Sequence, residues 1–229
     1  MIPAFHSRIA DIECTHDMSI ATIVARDAAA DLPLSAPAVE LLEVAANALH
    51  YGDMLWSRAL DADAVLFLAH ALDARDSIWW GLVCMLALEH VAPDPAHGAA
   101  LGLVGDFSLA PSRERADEAR SIARELALDP PVAWLLQAVW LSMPPEDTPV
   151  AAYRLGVTHA ISAALKLGAA TGPDPAAGAY GTNLRRFVEL GLHVARGGDG
   201  GVDRLDPPSF PGVRRSPVVP RPSNGGMPG

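Results

Sequence analysis

The chain has 229 residues, of which 50% are hydrophobic and 19% charged, and a formal net charge of −10. That length suits one ordinary domain with a tail, and the apolar share is enough for a substantial core. The acidic balance argues against a nucleic-acid partner, because phosphate backbones need a basic face, and equally against an anionic membrane surface.

Alanine and leucine dominate the apolar fraction and aromatics are only 6%, a composition that favours helices throughout. Sixteen of the seventeen basic residues are Arg, with Lys166 the sole lysine; the imbalance reads as coding bias rather than chemistry. The start MIPAFHSRIADIECTHDMS lacks a basic stretch followed by an apolar run, so it does not read as a secretory signal. No uncharged apolar run reaches the roughly 20 residues a membrane helix requires. A cytoplasmic protein with no membrane insertion is the expectation.

In chain order, residues 1–34 are weakly patterned, with one short element around Ser19 to Ala30. A first helix is predicted over Ala38 to Leu49, and further turns from Asp53 to Leu60. Asp61 is placed as the cap of a helix over Ala62 to Leu72, and Ser77 near the start of the next, which carries Trp79 and Trp80 and runs to about His90. Four pairs, Asp94-Pro95, Asp129-Pro130, Thr148-Pro149 and Asp174-Pro175, combine a capping oxygen with a proline suited to the first helical position. They predict helices over Pro95 to Phe107, from Pro130, over Pro149 to Ala170, and over Pro175 to Arg196, the last stopped by Gly197-Gly198.

Between Pro111 and Leu128, Ala116, Ala119, Ala123, Leu126 and Ala127 share one helical face, opposite four Arg and four acidic residues. Val132, Leu135, Leu136 and Val139 fall at i, i+3, i+4 and i+7, the spacing of a buried stripe. No period-two alternation is sustained. The expected fold is all-α, a compact antiparallel bundle or short array of about eight helices over residues 35–198. Residues 199–229 hold seven prolines and six glycines and are expected to be a disordered tail.

The stretch Ala64 to Leu88, AVLFLAHALDARDSIWWGLVCMLAL, is the most apolar and belongs at the centre of the core. Cys84 within it reads as a small hydrophobe. Adjacent residues on a helix point about 100° apart, so one of Trp79 and Trp80 is expected in the core and the other at an inter-helix seam or a binding surface.

Candidate chemistry is sparse. Cys14 and His16 with Glu13 and Asp17 superficially suggest a metal site, but no second Cys/His cluster follows. The glycine pairs lack a phosphate-binding context. Neither metal nor cofactor is implied. His70 shares a helical face with Asp63 and Asp73, an arrangement that suits an acid/base group or, more simply, a ring held by Asp73. Arg75 and Asp76 read as a turn and a helix cap. The partner- or ligand-binding candidates are therefore His70, Arg75, Asp76, Trp79 and Trp80.

The string Phe67-Leu68-Ala69-His70-Ala71-Leu72, then Arg75, Ile78-Trp79-Trp80 and Cys84, resembles an uncharacterised family of bacterial all-helical proteins. That family shares an FLAHALP-x-RE-AVWWAC core and a closing pattern like Phe187-x-x-Leu190-Gly191-Leu192-x-Val194-Ala195-Arg196-Gly197. The resemblance runs from about Ile20 to Gly198. Asp73 replaces the family's proline and Asp76 its glutamate, which predicts a looser turn. Family members are encoded near type VI secretion genes, so the resemblance implies an accessory or adaptor role and supplies no catalytic residue.

Two functional classes follow. One is a non-enzymatic scaffold that binds another protein, a secretion-system or effector protein. The alternative is a small-molecule binder or enzyme with a pocket around His70, Arg75 and the Trp pair. A homo-oligomer closing through exposed helix faces is a third arrangement.

Overall fold

The computed structural model of the protein describes residues 20–88, 95–126, 130–171 and 179–198. The cluster around Cys14 and His16, the pair Asp174-Pro175 and the Pro/Gly-rich segment 199–229 lie outside the described residues. Among the described residues, a 3-10 turn at Ile20–Thr22 is followed by ten α-helices: α1 Ala25–Ala29, α2 Ala36–Leu41, α3 Ala48–Ser57, α4 Asp61–Ala71, α5 Ala74–Leu86, α6 Pro95–Leu109, α7 Arg113–Glu125, α8 Pro131–Leu141, α9 Val150–Ala170 and α10 Ala179–Ala195. No strand occurs among the described residues. The fold is all-α, and the eight helices from α3 onward have ten or more residues.

Several helix starts differ from the sequence expectation, each for a local reason. The helix expected over Ala38 to Leu49 is two helices, because Asn47 takes an extended conformation and its side chain accepts the His50 amide at 2.8 Å, opening α3. Asp61 does not cap α4 but is its first residue; its carboxylate is engaged by Arg185. Helix α5 starts earlier than Ser77, where Asp73 Oδ1 accepts the Asp76 amide at 2.8 Å. That bond orders the turn expected to be loose. Pro130 and Pro149 occupy the capping position itself, so α8 and α9 begin without a side-chain cap, with Pro131 as the first residue of α8.

The amphipathic expectations hold where they fall on described residues, Leu126 being half-buried and Ala127 lying outside them. Ala116, Ala119 and Ala123 of α7 are buried under its charged face, and Val132, Leu135, Leu136 and Val139 of α8 are fully buried. At the end of α10, Gly197 adopts φ 82°, its amide donating to Val194 O at 2.8 Å and that of Gly198 to His193 O at 3.0 Å. This closes the last turn in the left-handed geometry that glycine tolerates.

Helix α5 lies at the centre. Ten of its thirteen residues are buried, and it packs against α6, α8, α9 and α10. Helix α4 does the same against α1, α3, α9 and α10. With partners on several sides neither helix can keep a polar face, which is why Ala64 to Leu88 is so continuously apolar. Fully burying each large side chain there, such as Phe67, Ile78 or Leu82, contributes roughly 1.5–3 kcal/mol. Residues 20–34, weakly patterned in sequence, supply Ile20, Ala25, Ala28, Ala29 and Leu32 to the same core.

Candidate functional site

His70, half-buried at the end of α4, faces α9. Its Nδ1 lies 3.0 Å from Thr158 Oγ1, and Thr158 Oγ1 lies 2.9 Å from Arg154 O as a donor. A hydroxyl has one proton to give, so Thr158 accepts from His70 Nδ1–H, which assigns the proton of the neutral ring to Nδ1. Arg154 reaches back, donating from Nε at 3.3 Å and Nη2 at 2.9 Å to the His70 carbonyl. Burial lowers the His70 pKa; Arg154 and His159 push the same way, against Asp31. Asp73, expected to hold the ring, instead caps α5.

Arg75 Nε donates to the Ser108 carbonyl at 2.6 Å, in the last turn of α6. Asp76, buried in the first turn of α5, has its amide held by Asp73. Trp79 and Trp80 are both in the core, at 4% and 0% exposure, so neither presents a binding surface. Trp80 Nε1 donates to the Phe187 carbonyl on α10 at 2.8 Å. Three of the five candidates thus turn to different helices: His70 to α9, Arg75 to α6, Trp80 to α10. Burial pushes the Cys84 thiol well above its usual value, so it stays protonated and packs as a small hydrophobe.

The richest polar cluster was not legible in sequence. Arg185 of α10 stacks over the Trp56 ring, 4.6 Å from its centroid, while Nη1 donates to Trp56 O at 3.0 Å and to Asp61 Oδ1 at 3.3 Å. Burial raises the Asp61 pKa, Arg185 opposes this, and Glu189 adds to it. The Trp56 indole nitrogen is buried and has no acceptor among the described residues. Between Trp56 and Asp61, Ala59 is held at φ 56°. Asp61 and Arg185 stand 124 positions apart, and no local pattern links them.

A common use of arginine runs through these contacts. Arg75, Arg115, Arg154 and Arg185 donate to carbonyls of Ser108, Ala110, His70 and Trp56, at or just past the C-terminal ends of α6, α4 and α3. Last-turn carbonyls lack partners within the helix and carry its negative dipole end, and a planar guanidinium can reach them while serving a second acceptor. The excess of Arg over Lys therefore has a structural use in this chain.

Among the described residues no three His, Cys, Asp or Glu side chains come together as metal ligands would, and no helix is long and apolar enough to cross a membrane.

A family model matches residues 51–195, well over half of the chain. The chain belongs to the family of unknown function DUF6931. The DUF6931 region begins within α3 and ends with the last residue of α10. It contains His70, Arg75, the Trp pair and the Trp56–Asp61–Arg185 cluster. Residues 20–50 precede it. No curated protein and no solved structure matches the chain.

Proposed function

We propose that this DUF6931 protein is a non-enzymatic cytoplasmic helical scaffold that binds another protein, as an accessory component of a type VI secretion system. One observation carries the reading: the side chains with chemical potential are spent on the fold. His70 holds Thr158, Arg75 closes the end of α6, and Trp80 is bound to the backbone of α10. The resemblance of the FLAHAL and Trp-pair strings to proteins encoded beside secretion genes supplies the partner class.

The rival, a pocket or active site at His70, Arg75 and the Trp pair, would have to work through His70 Nε2, the ring nitrogen that Thr158 does not engage, with Arg75 Nε already given to Ser108 O and both Trp rings buried. Substitution His70→Ala separates the two: the scaffold keeps its partner, whereas an enzyme loses its activity and its phenotype. The direct test is purification of the tagged full chain from its native bacterium. Stoichiometric recovery of a secretion-system or effector protein supports the scaffold, and recovery of neither overturns it.

A further inference from the structure

We propose that residues 20–47 form a displaceable strap, which opens as one unit while α3 to α10 stay folded and uncovers the side of α3 and α4 that carries Tyr51 and Asp63. The strap comprises the Ile20–Thr22 turn, α1 and α2, and its contacts with the rest of the molecule are mainly to α3 and α4. It lies outside the segment matched by the family model.

Its anchoring differs in kind from that of the central helices. Of the residues it fully buries, Ala25, Ala28, Ala29 and Ala38 are alanines, and only Ile20 and Leu32 are large; Ile23, Leu34, Leu41 and Leu42 pack on the core but stay partly open to solvent. It also leaves Val24, Val39 and Val44 exposed at 56%, 48% and 66%. Helix α5, by contrast, buries Ile78, Trp79, Trp80, Leu82, Val83 and Met85. Less apolar surface holds the strap than holds α5, so its opening free energy lies below that of the central helices.

The polar contacts that fix the strap are of two kinds, an exposed pair at Ser35 and Asp63 and a buried bond from Tyr51. The amide and the hydroxyl of Ser35 both donate to the carboxylate of Asp63, each at 2.8 Å. Tyr51 Oη donates to Ala38 O at 2.8 Å, and the Ala48 amide to Ile23 O at 2.9 Å. Ser35 is exposed and Asp63 partly so, so on release both groups exchange each other for water without leaving a buried orphan. The exposed Arg26–Glu43 pair lies wholly within the strap, joining α1 to the turn after α2, so opening does not break it.

Native-state hydrogen exchange on the full chain, resolved by residue and repeated in low urea, tests this. The amides of Ala28, Val39 and Leu42, and that of Ala48 on the α3 side, are expected to share one opening constant and one urea slope, with exchange at least about tenfold faster than Leu82 and Ile161. Asp63→Ala is expected to speed those four amides together by about tenfold and leave Leu82 and Ile161 unchanged. Equal protection of strap and core, or an Asp63→Ala effect spread evenly over both, overturns the proposal. So do strap amides with scattered rates and no urea slope, the signature of short helices fraying independently.

Discussion

Trp80 Nε1 donates to the carbonyl of Phe187 across 107 positions of sequence, at 2.8 Å. The two residues belong to the two strings that carry the family resemblance, the Trp-pair helix and the closing helix. Their meeting places both strings at one seam, between α5 and α10. One turn after Phe187, Gly191 lies under the same indole: a Cβ there would come within 2.7 Å of Trp80 Cε2 and 2.8 Å of Cζ2. The indole needs both the carbonyl and the missing side chain.

Gly191→Ala is therefore expected to destabilise the protein by about 1–3 kcal/mol through overpacking against a ring that cannot retreat. Trp80→Ala, which empties the seam instead, should cost about 3–5 kcal/mol. Urea denaturation of both variants measures this, and an unchanged midpoint in either would show that α5 and α10 do not meet here.

Ala59 gives the opposite sign. It sits past the end of α3 at φ 56°, with the Leu60 amide bonded to Leu55 O and its own to Trp56 O. This is the helix stop that Gly197 makes at the end of α10, built here with a residue that pays a steric cost for it. Ala59→Gly should stabilise by about 0.5–1 kcal/mol, raising Tm by about 1–4 °C. A lower Tm on a calorimetric scan would count against the left-handed geometry.

The helix-capping arginines predict that lysine is a poor replacement. Arg75→Lys removes the Nε donor that meets Ser108 O, and Arg154→Lys removes a fork placing two N–H groups on His70 O. Each is expected to cost about 0.5–1.5 kcal/mol despite conserving charge. The exposed Arg186 and Arg124, changed in the same way, should stay within about 0.5 kcal/mol. Equal midpoints for all four variants would remove the capping role.

His70 makes stability pH-dependent. Its pKa is lower folded than unfolded, chiefly through burial, so the unfolded chain takes up the proton first as pH falls. The stabilisation is complete above about 6.5, the ordinary value, and is lost as pH falls through the folded value. Asp61 acts in the other direction: its raised pKa favours the fold on acidification, in a window extending upward from the ordinary carboxylate range. In His70→Asn the side-chain amide still donates to Thr158 but does not titrate. Its Tm should fall less than that of the wild type between about pH 7.5 and 5.5. Parallel melting curves for the two proteins would dispose of the assignment.

How much of this was legible can be judged residue by residue. The stripe of Val132, Leu135, Leu136 and Val139, the buried alanines of α7 and the glycine stop after α10 follow from side-chain period and backbone chemistry within a few residues, and all are in place. Local competition between capping groups was harder to read. Asn47 and Asp73 opened helices where Ala38 to Leu49 promised continuity and Ser77 a later start, because a cap wins by one hydrogen bond that periodicity does not register. The five candidate site residues could be named in advance, but not their partners.

The sequence by itself determined the helices, the apolar centre at Ala64 to Leu88 and the family to which the chain belongs, since these depend on propensity, period and short strings. Only the tertiary structure decided that His70 turns to Thr158, that Arg185 joins Trp56 to Asp61 and that Trp80 rests on Gly191. The physical reason is one of range. A side chain's pattern constrains the neighbours it meets three or four positions away, whereas the partner of a polar or aromatic group is set by how helices cross, 80 to 130 positions apart in the chain.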